Sequence, residues 1–200
     1  MTIVKTPAPV LEGLDSAILE RIEDPEVHLV LWRRSLPGDL DRIGSIGFDG
    51  IEDLDFTADL DLLDEEVADG LVQAGYPSAV CSGLKNEILA HARQLAGLTN
   101  ASAVRIRLEI VETDACRKFH TDYVTARLLT TLWGQGTQWI EAAQPTSINQ
   151  LSAGDVGIFK GRLWAEEPAV LHRSPPLEGT GEARLLLVVD PFDPRETMLS

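Results

Sequence analysis

The segment Val104-Arg105-Ile106-Arg107-Leu108-Glu109-Ile110 alternates apolar and charged side chains without a break. Successive side chains of an extended strand point to opposite faces, so this period-two pattern specifies a half-buried strand. Further short runs follow. Residues 127–133 are rich in Leu and Thr, and Trp139-Ile140 comes after the turn segment Gly134-Gln135-Gly136. The turn Ser152-Ala153-Gly154-Asp155 launches 156–160, Val170-Leu171-His172 is a short piece, and 183–190 is closed by Pro191 and Pro194. Many short strands with turn residues between them point to a β-sandwich or barrel.

Residues 1–100 have a different texture. One short strand-like run spans 28–32, and the rest is mixed. Leu84, Ile88, Leu89, Ala92, Leu95 and Ala96 recur at three- and four-residue spacing, which predicts a helix that lays one stripe on a core. Residues 64–74 suggest a second helix, and the acidic stretch 49–61 reads as loop or turn. A chain of 200 residues supports one sizeable core. The expected organisation is α+β, with 1–100 a helical or mixed extension packed on the outer face of a β core formed by 101–200.

The formal net charge is −15 and is unevenly placed: between Glu12 and Asp69 stand 18 acidic residues and 4 basic ones. Such a segment repels nucleic acid and anionic membrane surfaces, so neither is expected as a partner. A solvated, solubilising surface accounts for it, with a face for a basic partner as the alternative. No apolar run approaches the roughly 18 residues of a membrane span, and no apolar segment of the secretory type is present near Met1. Cys81 and Cys116 lack any CxxC spacing. The expected location is cytoplasmic.

Chemistry concentrates around Phe119-His120-Thr121-Asp122-Tyr123. Side chains two apart on an extended chain share a face, so the His120 imidazole and the Asp122 carboxylate can converge on one metal ion. His172, at the end of another predicted strand, is the candidate third ligand. Two histidines and one carboxylate form the facial set of non-haem Fe(II) oxygenases, and the same donors suit zinc. Twelve residues after His172, Arg184 stands in an otherwise apolar strand. A guanidinium there needs an anion, either Glu109 or Glu182 of the chain or a carboxylate-bearing co-substrate. Arg127, and one hydroxyl of the Thr130-Thr131 pair, are further candidates for binding an organic acid. Thr130 is the expected one.

From Arg105 to Asp190, this order of features resembles the double-stranded β-helix of the 2-oxoglutarate- and Fe(II)-dependent dioxygenases. The resemblance rests on His120-Thr121-Asp122, a strand, the Gly134-Gln135-Gly136-Thr137 turn, Gly154-Asp155 before a strand, then His172 and Arg184. The chain also resembles a bacterial family of proteins of unknown function through 119–122 and 172–176. The resemblance to the dioxygenases implies a jelly-roll or cupin-like core, with His120, Asp122 and His172 holding Fe(II). It further implies 2-oxoglutarate on Arg184, assisted by Thr130 and Arg127. The substrate would be a small molecule or a protein side chain. Leu186 stands where many such enzymes carry a small hydroxyl residue. The rival reading is a non-catalytic zinc-handling or zinc-sensing protein built on the same three ligands.

Overall fold

The computed structural model describes residues 8–113 and 116–193. In chain order the strands and helices are β1 (Val10–Gly13), β2 (Leu29–Trp32), β3 (Leu54–Asp59), α1 (Leu63–Gln73), α2 (Ser78–Thr99) and β4 (Ala103–Val111). These are followed by β5 (Ala126–Trp133), β6 (Gln138–Glu141), β7 (Asn149–Gln150), β8 (Val156–Lys160), β9 (Val170–Arg173) and β10 (Arg184–Phe192). Seven strands form one sheet in the order β1-β2-β8-β5-β10-β4-β3, and β7-β6-β9 form a second. Every pairing is antiparallel except β1 with β2.

Alternation assigns the two faces of the large sheet. Val104, Ile106 and Leu108 of β4, Leu128 and Leu132 of β5, and Leu185, Leu187 and Val189 of β10 share one core with Leu84, Ile88 and Leu95 of α2. The other face presents Leu29, Leu31, Leu129, Phe159, Leu186 and Val188, which pack with Trp139 and Val170 of the small sheet. The large sheet is therefore the middle layer, between helices and a second sheet. α2 begins after Pro77 and stops at Asn100, whose left-handed backbone (φ 53°) turns the chain into β4.

One sequence expectation fails here. Residues 49–61 are not simply loop, because they contain β3 paired along β4. Its inward positions Leu54, Phe56 and Ala58 alternate as a strand requires, and all three pack against the helix-side core. The acidic composition hides this, since Asp55 faces the other way and takes a two-pronged hydrogen bond from Arg105 at 2.8 and 2.6 Å. Residues 1–100 thus supply β1 and β3, the two edges of the large sheet, as well as β2 beside β8. Among the described residues, no helix is long and apolar enough to cross a membrane.

A buried charged cluster ties α2 to the segment after β2. Glu87 accepts hydrogen bonds from Arg34 and lies 3.0 Å from His91 Nε2, and the Arg34 guanidinium stacks 4.8 Å from the Trp32 ring. Burial alone would raise the Glu87 carboxyl, but hydrogen bonds from His91 and Arg34 outweigh it and bring its pKa to about 2. The sign follows: the stabilisation is fully present above the ordinary 4.5 and is lost as pH falls through about 2. Glu87→Ala leaves Arg34 buried without its anion and should cost about 3–5 kcal/mol in urea unfolding at neutral pH. The wild type should also lose more stability than the variant between pH 5 and 2. Equal losses would remove Glu87 from the account.

Candidate metal centre

His120 and His172 lie 52 residues apart in sequence, yet they sit directly opposite each other in an isolated antiparallel bridge. Each backbone N–H donates to the other's carbonyl at 3.0 Å. Opposed residues of an antiparallel pair project on the same side. Their rings stand 4.8 Å apart, with the Phe159 ring packed 4.7 Å from His172. Nδ1 of His120 lies 2.8 Å from the Lys118 carbonyl; donating to it, that nitrogen carries the proton and leaves Nε2 free as a ligand atom.

Asp122 is placed by the turn that follows β8. The Arg162 amide donates to the Asp122 carbonyl at 2.9 Å, and Gly161 and Leu163 bond the carbonyls of Thr125 and Val124. A Cβ at Gly161 would run into the Val124 carbonyl, so only glycine allows the two segments this close. The Asp122 carboxylate then reaches both imidazoles, with Oδ1 3.6 Å from His120 Nε2 and Oδ2 3.0 Å from His172 Nε2. One ligand atom from each of the three residues lies within 4.8 Å of the others.

These donors fit a metal on an observation independent of their spacing. Asp122 Oδ2 is buried and has no hydrogen-bond partner in good geometry. A buried carboxylate oxygen left this way is costly, and a cation satisfies it. Burial pushes the Asp122 carboxyl up, yet its contacts with His120, His172 and Arg127 hold it far below the usual carboxylate range. Burial lowers His172, which favours the neutral, ligating imidazole, whereas the Asp122 contact raises His120.

Beside this centre lies a cavity of about 60 Å³ whose lining includes His120, His172, Arg127, Thr137, Leu186 and Val188. Behind Thr137 is Arg184, which is fully buried. It shares the face of β10 with Leu186 and Val188, as alternation requires. One nitrogen, Nη2, donates to Thr131 Oγ1 at 3.0 Å and to Thr137 Oγ1 at 2.9 Å. Nε and Nη1 have no partner. Neither Glu109 nor Glu182 hydrogen-bonds it: Glu109 accepts from Arg107 and acts on Arg184 only through its charge, and Glu182 accepts from Gln135. Burial lowers the Arg184 pKa to about 10.

The other two co-substrate candidates go elsewhere. Thr130 has the parity of Leu128 and Leu132 and belongs to the helix-side face, where its buried hydroxyl has no partner. Thr131, one residue on, faces Arg184 instead. Arg127 is engaged by two carboxylates: Nη1 lies 2.5 Å from Asp122 Oδ1, while Nε and Nη2 grip Asp190 at 2.7 and 2.8 Å. Sequence reasoning missed Thr137 and Asp190. Thr137 stands beside the Gly134-Gln135-Gly136 turn, and Asp190 continues the alternating face of β10 that carries Arg184. That parity was the available signal.

A family model described as protein of unknown function (DUF1826) matches residues 13–190. No curated protein matches the chain in sequence. Among solved structures, the rice dioxygenase for auxin oxidation aligns over 95% of this chain and 84% of its own, at 12% identity and a TM-score of 0.52. The Arabidopsis thaliana dioxygenase for auxin oxidation 1, solved with 2-oxoglutarate, aligns over 94% and 93%, at 13% identity and 0.53. JOX2, in complex with 2OG, Fe and JA, aligns over 97% and 78%, at 11% identity and 0.50. The chain shares the overall fold of these proteins.

Proposed function

We propose, on the premise that the chain belongs to the DUF1826 family of proteins of unknown function, that it is an Fe(II)- and 2-oxoglutarate-dependent oxygenase. The two sheets, with the site between them, are read as the double-stranded β-helix, or jelly roll, of that enzyme class. The observation that carries the proposal is Arg184: a fully buried guanidinium with two nitrogens lacking a hydrogen-bond partner, bonded to Thr137 on the wall of the cavity that His120 and His172 also line. Unpaired buried cations are costly, so the site is organised around an anion that comes from outside the chain. A dicarboxylate chelating the metal at one end would bring its far carboxylate to Arg184. The fold shared with a protein solved with 2-oxoglutarate supports the same reading.

In this reading His120 Nε2, Asp122 Oδ2 and His172 Nε2 would hold the metal. Arg184 orients the co-substrate, and the Thr131 and Thr137 hydroxyls fix the guanidinium. Leu129, Leu186 and Val188 line the cavity with apolar surface and keep water away from the reacting centre. When bound, Fe(II) with 2-oxoglutarate would supply oxidation of a substrate C–H bond by dioxygen, one oxygen atom going to the substrate and the other to succinate as CO2 is released. A cavity of about 60 Å³ does not hold a five-carbon acid, so binding requires its walls to move. The substrate class is a small molecule or a protein side chain, and the two free cysteines suit action in the reducing cytoplasm.

The test is direct. Protein stripped of metal, reloaded anaerobically with Fe(II), should bind 2-oxoglutarate and, once air is admitted, form succinate even without the true substrate. Fe(II)-loaded protein that binds no 2-oxoglutarate would overturn the proposal and favour a zinc-binding protein using the same three ligands.

A further inference from the structure

We infer that Arg127 is a positioning residue that makes Asp122 a one-oxygen ligand, and that Asp190 holds Arg127 in place to do so. This inference rests on the oxygenase reading and assigns Arg127 a task other than contact with co-substrate.

The two oxygens of Asp122 are not equivalent. Oδ1 forms an ion pair with Arg127 Nη1 at 2.5 Å and lies 3.6 Å from His120 Nε2, whereas Oδ2 lies 3.0 Å from His172 Nε2 and is buried without a hydrogen bond. Without a hold on Oδ1, rotation about the Cβ–Cγ bond would let both oxygens chelate one ion. A carboxylate binding through both oxygens fills a position that co-substrate or dioxygen needs. With Oδ1 occupied, two histidines and one carboxylate oxygen leave three positions of an octahedron open.

Arg127 can do this because it is itself immobilised. Its Nε and Nη2 make a two-pronged bond to Asp190 at 2.7 and 2.8 Å, and the guanidinium is a rigid planar fork. Asp190 is buried on β10, beside β5, where the pairing register Val188 with Leu129 and Val189 with Leu128 leads to Arg127. Arg107 approaches Asp190 from β4 at 3.5 Å and bonds Glu109 at 2.9 Å. The row Glu109–Arg107–Asp190–Arg127–Asp122 therefore alternates in charge across three strands and ends at the metal ligand. Arg127 is the second residue of β5, five residues after Asp122, so the loop between them is tied at both ends by the same ion pair. A positive charge here also offsets two buried carboxylates that would otherwise repel each other.

The test uses the full chain and Co(II), whose visible absorption reports coordination number and which needs no turnover. Arg127→Leu should bind Co(II) roughly 10- to 100-fold more weakly, the usual cost of losing a partner that orients a metal ligand. Its visible spectrum should differ from wild type, because Asp122 changes from one to two coordinating oxygens. Arg127→Lys keeps a charge near Asp122 without the fork and should recover part of the affinity and part of the spectrum. If Arg127→Leu does not fold, Asp190→Asn serves instead. It loosens Arg127 and should shift the Co(II) spectrum the same way by less. A purely structural role would change the melting temperature and leave the Co(II) affinity and spectrum at their wild-type values. That result, in either folded variant, overturns the inference and leaves the oxygenase reading standing. Wild-type protein that binds no Co(II) at all would instead remove the oxygenase reading and the inference with it.

Discussion

Replacing His172 with alanine is expected to abolish tight divalent-metal binding and, with it, all 2-oxoglutarate consumption. The imidazole is one of three converging candidate ligands, and it is the buried one, packed against the Phe159 ring. Losing a partner that only orients a ligand costs about 10- to 100-fold in metal affinity, so losing the ligand itself should exceed the upper figure. The fold should survive, because the bridge to His120 is made by backbone N–H and carbonyl groups that alanine keeps. Circular dichroism of the variant should therefore match wild type while Fe(II) or Co(II) titration shows the loss. Co-substrate binding should fail only as a consequence, since the Arg184 end of the pocket is untouched. Wild-type metal affinity in His172→Ala would sink the metal centre and every function built on it.

Much of this centre was legible in the sequence because it rests on short-range geometry. The His-x-Asp spacing placed His120 and Asp122 together, and the alternation of 183–190 placed Arg184 with Leu186 and Val188 on one face. What brings His172 to His120 is a backbone bridge between distant segments, which no local spacing encodes. The choice of Thr130 shows where local reasoning was available but misapplied. Arg127, Leu129 and Thr131 share a parity, so Thr130 and Arg127 cannot line the same face of a regular strand. The regular pairing of Thr131 with Leu186, which shares the Arg184 face of β10, puts Thr131 on the Arg184 side. The strand β3 was hidden for a different reason. Its charged face is matched by Arg105 on the neighbouring strand, and a single-chain reading sees only the acidity. The Arg127–Asp190 fork is invisible for the same cause: its two halves lie 63 residues apart.

Arg184→Met should produce two effects of opposite sign, and their combination separates an oxygenase from a simple metal binder. In the free protein the guanidinium is fully buried, with hydrogen bonds on one nitrogen and none on Nε or Nη1. Burial depresses its pKa to about 10, so the folded state disfavours the charged form. The sign is that of a destabilising group: the cost is fully present at neutral pH and eases only as pH rises through about 10. Methionine fills similar apolar volume without a charge, and replacing buried charges in this way is neutral or stabilising by about 1–4 kcal/mol. The variant should therefore melt at the same temperature as the wild type or higher, and it should bind Fe(II) or Co(II) normally. Its affinity for 2-oxoglutarate should fall, because a charge-assisted pair with the far carboxylate is lost. Such a pair is worth about 2–5 kcal/mol, or roughly 30- to several-thousand-fold in affinity. A structural arginine predicts the reverse pattern, with stability lost and ligand affinity kept. Isothermal titration of metal-loaded protein, run beside thermal melts, reads both quantities on the same sample. Unchanged 2-oxoglutarate affinity in a stable, metal-binding Arg184→Met protein would leave the buried cation without its proposed anion. The three ligands would then be those of a metal-binding protein with no oxygenase chemistry.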